Sequence, residues 1–540
     1  MAETAWWEKR WFLALIVLAS TIPLLLPETP PLVDVPGHLG RFRVQLDLAN
    51  SPELQRYFEF HWALIGNLGV DLLVMLLAPL VGLEPAVKLI VMTIPPITVA
   101  GIFWVAKEVH GRIPPTALFA VPFVYSFPFN FGFINFSLAA GLALIAFAFW
   151  LHLTNHHRLI LRAWSFLAIS CALWIVHAYG WGILGLLAFT SDLMRRSDAG
   201  ENWPRALISS VVAMLPLALP IILMIAGHGQ TVAGGIGYFP TIMPKLYSFA
   251  AVLRDRWLIW DSFGVAVALL LLGAARFEPQ LQFSRRLIVP ALLLWLTFLV
   301  MPARVLGMAY ADMRLGPMMF ILAIVAIRVT DRNKQVSRLL ARLGIAFVAL
   351  RLIGNMISFG TSDREIRTWL TALDHIPVGA PVLSLVGEFC NQRWEMPRHA
   401  HIGGFVIIRR NGFSNNQWEA AGAQLLRVNY PAAGKFRTHR STVTNTAECL
   451  AETARRTGES PMTEQLTERV LQRFPRDAFD YVWIIQPGDF DMHPRPGLTP
   501  IWHRKDAVLY RIEHRVSCDW PRSQGSVGGY AITKECPNGS

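Results

Sequence analysis

FINFSLAAGLALIAFAFWLH, residues 133 to 152, decides the class of this chain. The run carries no Asp, Glu, Lys or Arg. As a helix it would be about 30 Å long, the thickness of a bilayer's hydrocarbon core. On either side of it, comparable apolar stretches recur at 11–27, 84–106, 116–129, 160–176, 179–194, 206–226, 262–276, 285–303, 313–330 and 340–360. The whole chain agrees. Its 540 residues are 53% hydrophobic and only 16% charged, with mean hydropathy +0.40. Soluble domains carry about 25% charged residues. The composition excludes a single soluble domain, a disordered chain and a coiled coil. With 19 Trp and 32 Phe, it implies an integral membrane protein.

The net charge is +12, from 49 Lys and Arg against 37 Asp and Glu. These cations punctuate apolar runs instead of clustering on a soluble face, so nucleic acid is not the expected partner and membrane lipid is. Lys9 and Arg10 precede the first run, and no small-x-small cleavage site follows it. It therefore reads as a retained span whose N-terminus is cytoplasmic. The basic breaks at 107–112, 155–162, 195–205, 276–286 and 328–342 become cytoplasmic turns if the intervening spans pair as hairpins. The run at 66–83 would upset that parity. It is short and holds Asp71 and Pro79, so it reads as an interfacial or re-entrant segment. The expectation is a polytopic helical bundle of about eleven spans over residues 1–360, with a long outer loop at 28–66. A soluble periplasmic α/β domain over 361–540 follows.

Cysteine usage points the same way by a separate route. Cys390, Cys449, Cys518 and Cys536 fall in the second region, enough for two disulfides in an oxidising compartment, with the pairing open. Cys171 sits inside an apolar run as a small packing residue. In the soluble region, APVLSLVG, GFVIIRR, DYVWIIQP and AVLYRIE have strand length and β-branched content. Residues 461–474 read as a helix, with Ser460 as its cap, Pro461 at its first position and Glu464 in its first turn. His399 and His401 would share one face of a strand, where a metal could be held, although surface or acceptor-contacting roles are commoner for such a pair.

The outer face collects the chemistry-bearing residues. Asp34 follows the Pro-rich exit of the first span. A carboxylate near the membrane boundary costs free energy unless it is paired or used, and there it can act as a base or hold a metal ion. It also precedes a helix starting near Pro36, where it could simply cap free N–H groups. His38 and Arg41 follow at helical spacing. The loop 227–261 contributes Tyr238 and Lys245. Arg304, Asp312 and Arg314 surround Tyr310 at the outer side of the last hairpin. There, arginine suits phosphate or snorkels to headgroups.

The layout resembles the GT-C glycosyltransferases, a group that includes protein O-mannosyltransferases, the lipid A aminoarabinose transferase and the oligosaccharyltransferase catalytic subunit. The resemblance is carried by the outer loop opening with VDVPGHLGRF and by FWVAKEVHGR ending the next span. The turn in VYSFPFNFGFINFSLAAGLAL, the HAYGW hairpin tip and ADMRLGP entering a late span add to it. VDVPGHLGRF also resembles the D-x-x-x-H-x-x-R opening of bacterial membrane proteins related to that group. The resemblance implies transfer of a sugar from a polyprenyl-phosphate carrier to an envelope acceptor, outside the bacterial inner membrane. It makes Asp34 the catalytic or metal-holding acid. Arg314, then Arg304, would contact the carrier phosphate; beyond the resemblance, His38 is a second catalytic candidate and Arg41, Tyr238, Lys245 and Asp312 are candidates for the substrate site. The pattern departs in the second outer turn, where Asn130 and Asn135 replace a carboxylate expected for a divalent metal. No metal ligand set is therefore assigned. The rival readings are a non-catalytic transporter, a polysaccharide-assembly subunit and a polysaccharide ligase.

Overall fold

The quoted run folds as the helix Ile134–Asn155, most of it buried. A computed structural model describes residues 5–226, 237, 239, 241–305, 309–330, 334–388, 394–419, 424–445, 447, 450–451, 466–487 and 490–514. The protein is mostly helical. Among the described residues, five helices are long and apolar enough to cross a membrane: Leu83–His110, Ile134–Asn155, Leu159–Val176, Leu258–Phe277 and the stretch Lys334–His375. A sixth arises if Trp203–Ala213 and Leu215–Ile225, bent by 47°, are one span. These helices carry exposed Trp164, Ile208, Leu270 and Ile353 on their outward faces.

Other apolar stretches are shorter. Gly69–Val81 has 13 residues and packs against Leu83–His110 across Gly82, whose φ of 89° makes the sharp turn between them. That matches its reading as something less than a span. The stretch expected to span at 116–129 is a different object. Pro115–Tyr125 is a 3-10 helix buried along its whole length, followed by the short helix Phe127–Phe131. Pro114, Pro115 and Pro122 remove the donors an α-helix needs, and the segment lies inside the bundle with no exposed face.

The basic breaks gather at one end. Arg112 pairs with Glu8, and Glu108 receives His152 and Asn155. Asn155 also accepts from Arg286, Arg285 pairs with Asp198, and Arg195 and Arg196 pair with Asp192. Strands β2 (Leu281–Phe283) and β3 (Ile327–Val329) pair antiparallel at this end. Asp34 and the 130–135 turn lie at the opposite end, where β1 (Phe58–Phe60) also sits.

The C-terminal region is mixed α/β as expected, on β4 (Pro381–Glu388), β5 (Phe413–Ser414), β6 (Leu426–Val428), β7 (Val443–Asn445), β8 (Tyr481–Ile485), β9 (Leu498–Arg504) and β10 (Ala507–Ile512). Strand β4 runs parallel to β5, β7 and β8, and β8, β10 and β9 continue antiparallel. Three of the four expected strands form. GFVIIRR does not: Gly404–Arg410 is a helix, closed by Asn411 in the left-handed conformation. Its packing against the helix Val35–Asp47 overrides its β-branched content. The boundary near 361 is no break, because the helix Lys334–Leu370 runs through it. The C-terminal region carries its own sheet, and β1 of the outer loop also pairs with β6 of that region, placing Phe58 opposite Val428. Residues 467–473 are helical, while Ser460, Pro461 and Glu464 fall outside the described residues, as do Cys390, Cys449, Cys518 and Cys536. Cys171 is a free thiol.

Candidate functional site

Asp34 stands at the N-terminal cap position of Val35–Asp47, yet its side chain makes no capping hydrogen bond. The backbone fixes it instead. Its N–H donates to the Phe131 carbonyl at 2.9 Å, and the Val33 N–H donates to that of Asn130. Gly132, with φ of 93°, lies so close that a Cβ there would come within 2.8 Å of the Asp34 nitrogen. The second outer turn is thus pressed directly against the acid.

The carboxylate faces the C-terminal domain. His401 Nε2 lies 3.5 Å from Asp34 Oδ1, and the two side chains are only 12–13% exposed. Burial pushes the Asp34 carboxyl up to about 8, against the opposing charge of Arg314. Burial and the nearby His439 push His401 down to about 3, so it is a neutral imidazole. His38 is also held well below its usual range, by burial first and then by Arg41, His401 and Arg314. Trp418 sits between the two imidazoles, with ring centroids 4.4 Å from His401 and 5.4 Å from His38.

Arg314 supplies the positive charge. It is buried, with its guanidinium 4.0 Å from the Phe133 ring centroid and near Phe136 and Tyr179. Its Nη2 donates to the Ala309 carbonyl at 3.3 Å, and its Nε has no partner among the described residues. Arg314 and Asp34 influence each other electrostatically without closing to an ion pair. A buried acid and a buried guanidinium that do not pair are poised for a third group that carries both a proton to lose, once the acid is ionised, and a negative charge to be met.

Several expected site residues are engaged elsewhere. Arg41 forms a buried bidentate pair with Asp71, so a substrate role for it is corrected to a structural one. Lys245 bonds Asp312 at 2.5 Å and also the Phe298 and Met301 carbonyls. Its ammonium and the Asp312 carboxylate satisfy each other instead of lining a substrate site. Arg304 is exposed, and its backbone bridges Gly237. Tyr238 lies outside the described residues.

The two asparagines explain the missing second acid. Asn130 Nδ2 donates to the Tyr125 and Arg254 carbonyls, and Asn135 Nδ2 donates to the Asn67 carbonyl and to Asp71. Asn135 Oδ1 accepts from the Val70 N–H. A carboxylate has no hydrogens to donate, so Asp at either position would face acceptors with acceptors. Among the described residues no group of three or more His, Cys, Asp or Glu side chains is placed to hold a metal ion. The donors present do not fit a divalent metal, and no step is assigned to one.

Sequence reasoning missed His401 as a neighbour of Asp34. His399 and His401 lie on a turn, not a strand, and diverge: His399 Nε2 lies 3.4 Å from the Gly387 carbonyl. The signal that could have marked the contact is the pair of glycines on either side of it. A Cβ on Gly404 would come within 2.1 Å of the Pro36 carbonyl, and one on Gly37 within 2.4 Å of Trp418. No protein-family model matches this chain, and no curated protein matches it.

Proposed function

We propose that this protein is a GT-C-type membrane glycosyltransferase, moving a sugar from a polyprenyl-phosphate carrier to an envelope acceptor at the periplasmic face of a bacterial inner membrane. The N-terminus is then cytoplasmic and the C-terminal domain periplasmic, with about eleven crossings, some of them short or buried. Two observations support this orientation: the basic breaks gather at one end, as cytoplasmic loops do, and Asp34 lies at the other.

The observation that carries the reading is a buried acid that neither caps its helix nor pairs with a cation, held beside an arginine that it does not touch. In the reaction, Asp34 accepts the proton of an acceptor hydroxyl as that oxygen attacks the anomeric carbon. The bond from that carbon to the carrier phosphate oxygen breaks, and the phosphate leaves with the electron pair. Arg314 meets its charge. A carboxylate held near 8 is a stronger base than a free one, which suits the removal of a hydroxyl proton.

The test is Asp34→Asn at normal expression, read as the glycan profile of the cell envelope. Loss of one glycan product is expected. A wild-type profile from stably inserted Asp34→Asn protein would refute catalysis by Asp34 and favour a non-catalytic membrane subunit.

A further inference from the structure

Three side chains of the C-terminal domain, Gln417, Asn416 and His401, form a chain of hydrogen bonds that ends 3.5 Å from Asp34. Gln417 Nε2 donates to the Gly37 carbonyl at 3.2 Å and to Asn416 Oδ1 at 3.4 Å. Both bonds require the amide nitrogen of Gln417, which fixes its orientation, and the second assigns the oxygen of Asn416. Asn416 Nδ2 then points at His401 Nδ1 at 3.1 Å. An amide nitrogen only donates, so Nδ1 must be the lone pair. The proton of a neutral His401 therefore sits on Nε2, and Nε2 is the atom that faces Asp34 Oδ1 at 3.5 Å.

We propose that His401 is a positioning residue for Asp34: the Gln417–Asn416 amide chain locks its Nε2–H tautomer, and that N–H orients the carboxylate as a hydrogen-bond acceptor. The inference rests on the transferase reading for the purpose of the device, not for its geometry. The separation is long for a hydrogen bond, as contacts often are before a substrate closes the site. Trp418 and His38 hold the imidazole from its flanks, and the packing of Gly404 on Pro36 brings the two elements together. The charged and titratable groups facing this pair are Arg314 from the turn before Gly316–Val325, His38 from Val35–Asp47, and His439 beside His401. The C-terminal domain thus completes the candidate site. Truncating it would leave Asp34 without the donor that aims it.

The experiment is nitrogen-15 NMR of histidine-labelled full-length protein in bilayers, with His401→Gln used to assign the His401 signals. A proton on Nε2 with a bare Nδ1 is expected at neutral pH. Asn416→Asp should reverse it, because a carboxylate at 416 only accepts a hydrogen bond, so Nδ1 must carry the hydrogen. In the same variants, infrared titration of the carboxyl band that Asp34→Asn removes should show the Asp34 midpoint rising by about one unit in Asn416→Asp and in His401→Ala. It should stay near wild type in His401→Gln, which keeps a donor. A proton on Nδ1 in the wild type, or an Asp34 midpoint indifferent to both Asn416→Asp and His401→Ala, overturns the proposal. Neither readout needs sugar transfer. A positive result together with a wild-type glycan profile in Asp34→Asn would sink the transferase reading and leave the relay standing.

Discussion

Asp71 and Asp34 are both buried aspartates of the same outer region, and the protein treats them in opposite ways. Asp71 receives both guanidinium nitrogens of Arg41 and the amide of Asn135. Asp255 has Arg398, Asp261 has Arg351, and Asp312 has Lys245. Each of these carboxylates is matched to a cation in direct contact, which is how a fold keeps a buried charge. Asp34 has a neutral imidazole instead, with its nearest influential cation held away from it. The lesson is that burial alone does not mark function. What marks it is burial without the expected compensation, because an uncompensated acid costs stability and persists only where it is used.

The sharpest way to break this contrast is to neutralise one acid of each kind. Asp34→Asn is expected to lower transfer by roughly 10²–10⁴-fold, the usual contribution of a positioned base, without lowering the melting temperature. Asp71→Asn should do the reverse in kind. It strands Arg41 and should cost about 3–5 kcal/mol of stability, seen as poor accumulation and early melting, with catalysis lost only through unfolding. Equal destabilisation by the two substitutions would erase the distinction.

The pH dependence sharpens it further. In the folded protein Asp34 holds its proton up to about 8, against an ordinary value of 3.8. Folded protein therefore binds more protons than unfolded protein between those values, and stability falls as pH rises through that window. Asp34→Asn removes that slope. The melting difference between variant and wild type should grow from pH 4 to pH 8 and then level off. Transfer has the opposite sign, because the base must be ionised: kcat/KM should climb towards pH 8 and flatten above it. A rate profile flat from pH 6 to 9 contradicts the assignment of Asp34 as the base.

How much of this was legible in the sequence follows from how far each feature reaches. The long apolar helices, the mixed C-terminal region and the gathering of basic breaks are local in origin, set by runs of apolar residues and the charges between them. Asp34 was visible for the same reason, as an acid at an apolar exit. Its failure to cap was not, because Asp34 precedes a helix start just as a capping residue does. Arg41 was misread because the carboxylate that claims it belongs to the following apolar helix. GFVIIRR reads as a strand by composition, and only packing against Val35–Asp47 makes it a helix. His401 left only a faint trace, the glycines at 37 and 404, whose meaning depends on two distant segments packing together.

The smallest effect concerns the two arginines that the sequence offered as equals. Arg314 is buried against Phe133 and acts on Asp34, whereas Arg304 is exposed and engaged through its backbone. Arg314→Gln removes the one cation that opposes the burial of Asp34, so it should weaken transfer and push the pH limb upward. Arg304→Gln touches neither charge. It should change stability by no more than about 0.5 kcal/mol and leave both the rate and its pH limb in place. Vesicle-based transfer assays of the two variants at matched expression separate the cases. If Arg304→Gln shifts the limb as far as Arg314→Gln does, the carrier phosphate is met by both guanidinium groups, and the site extends outward from Asp34 along the segment that pairs with Gly237.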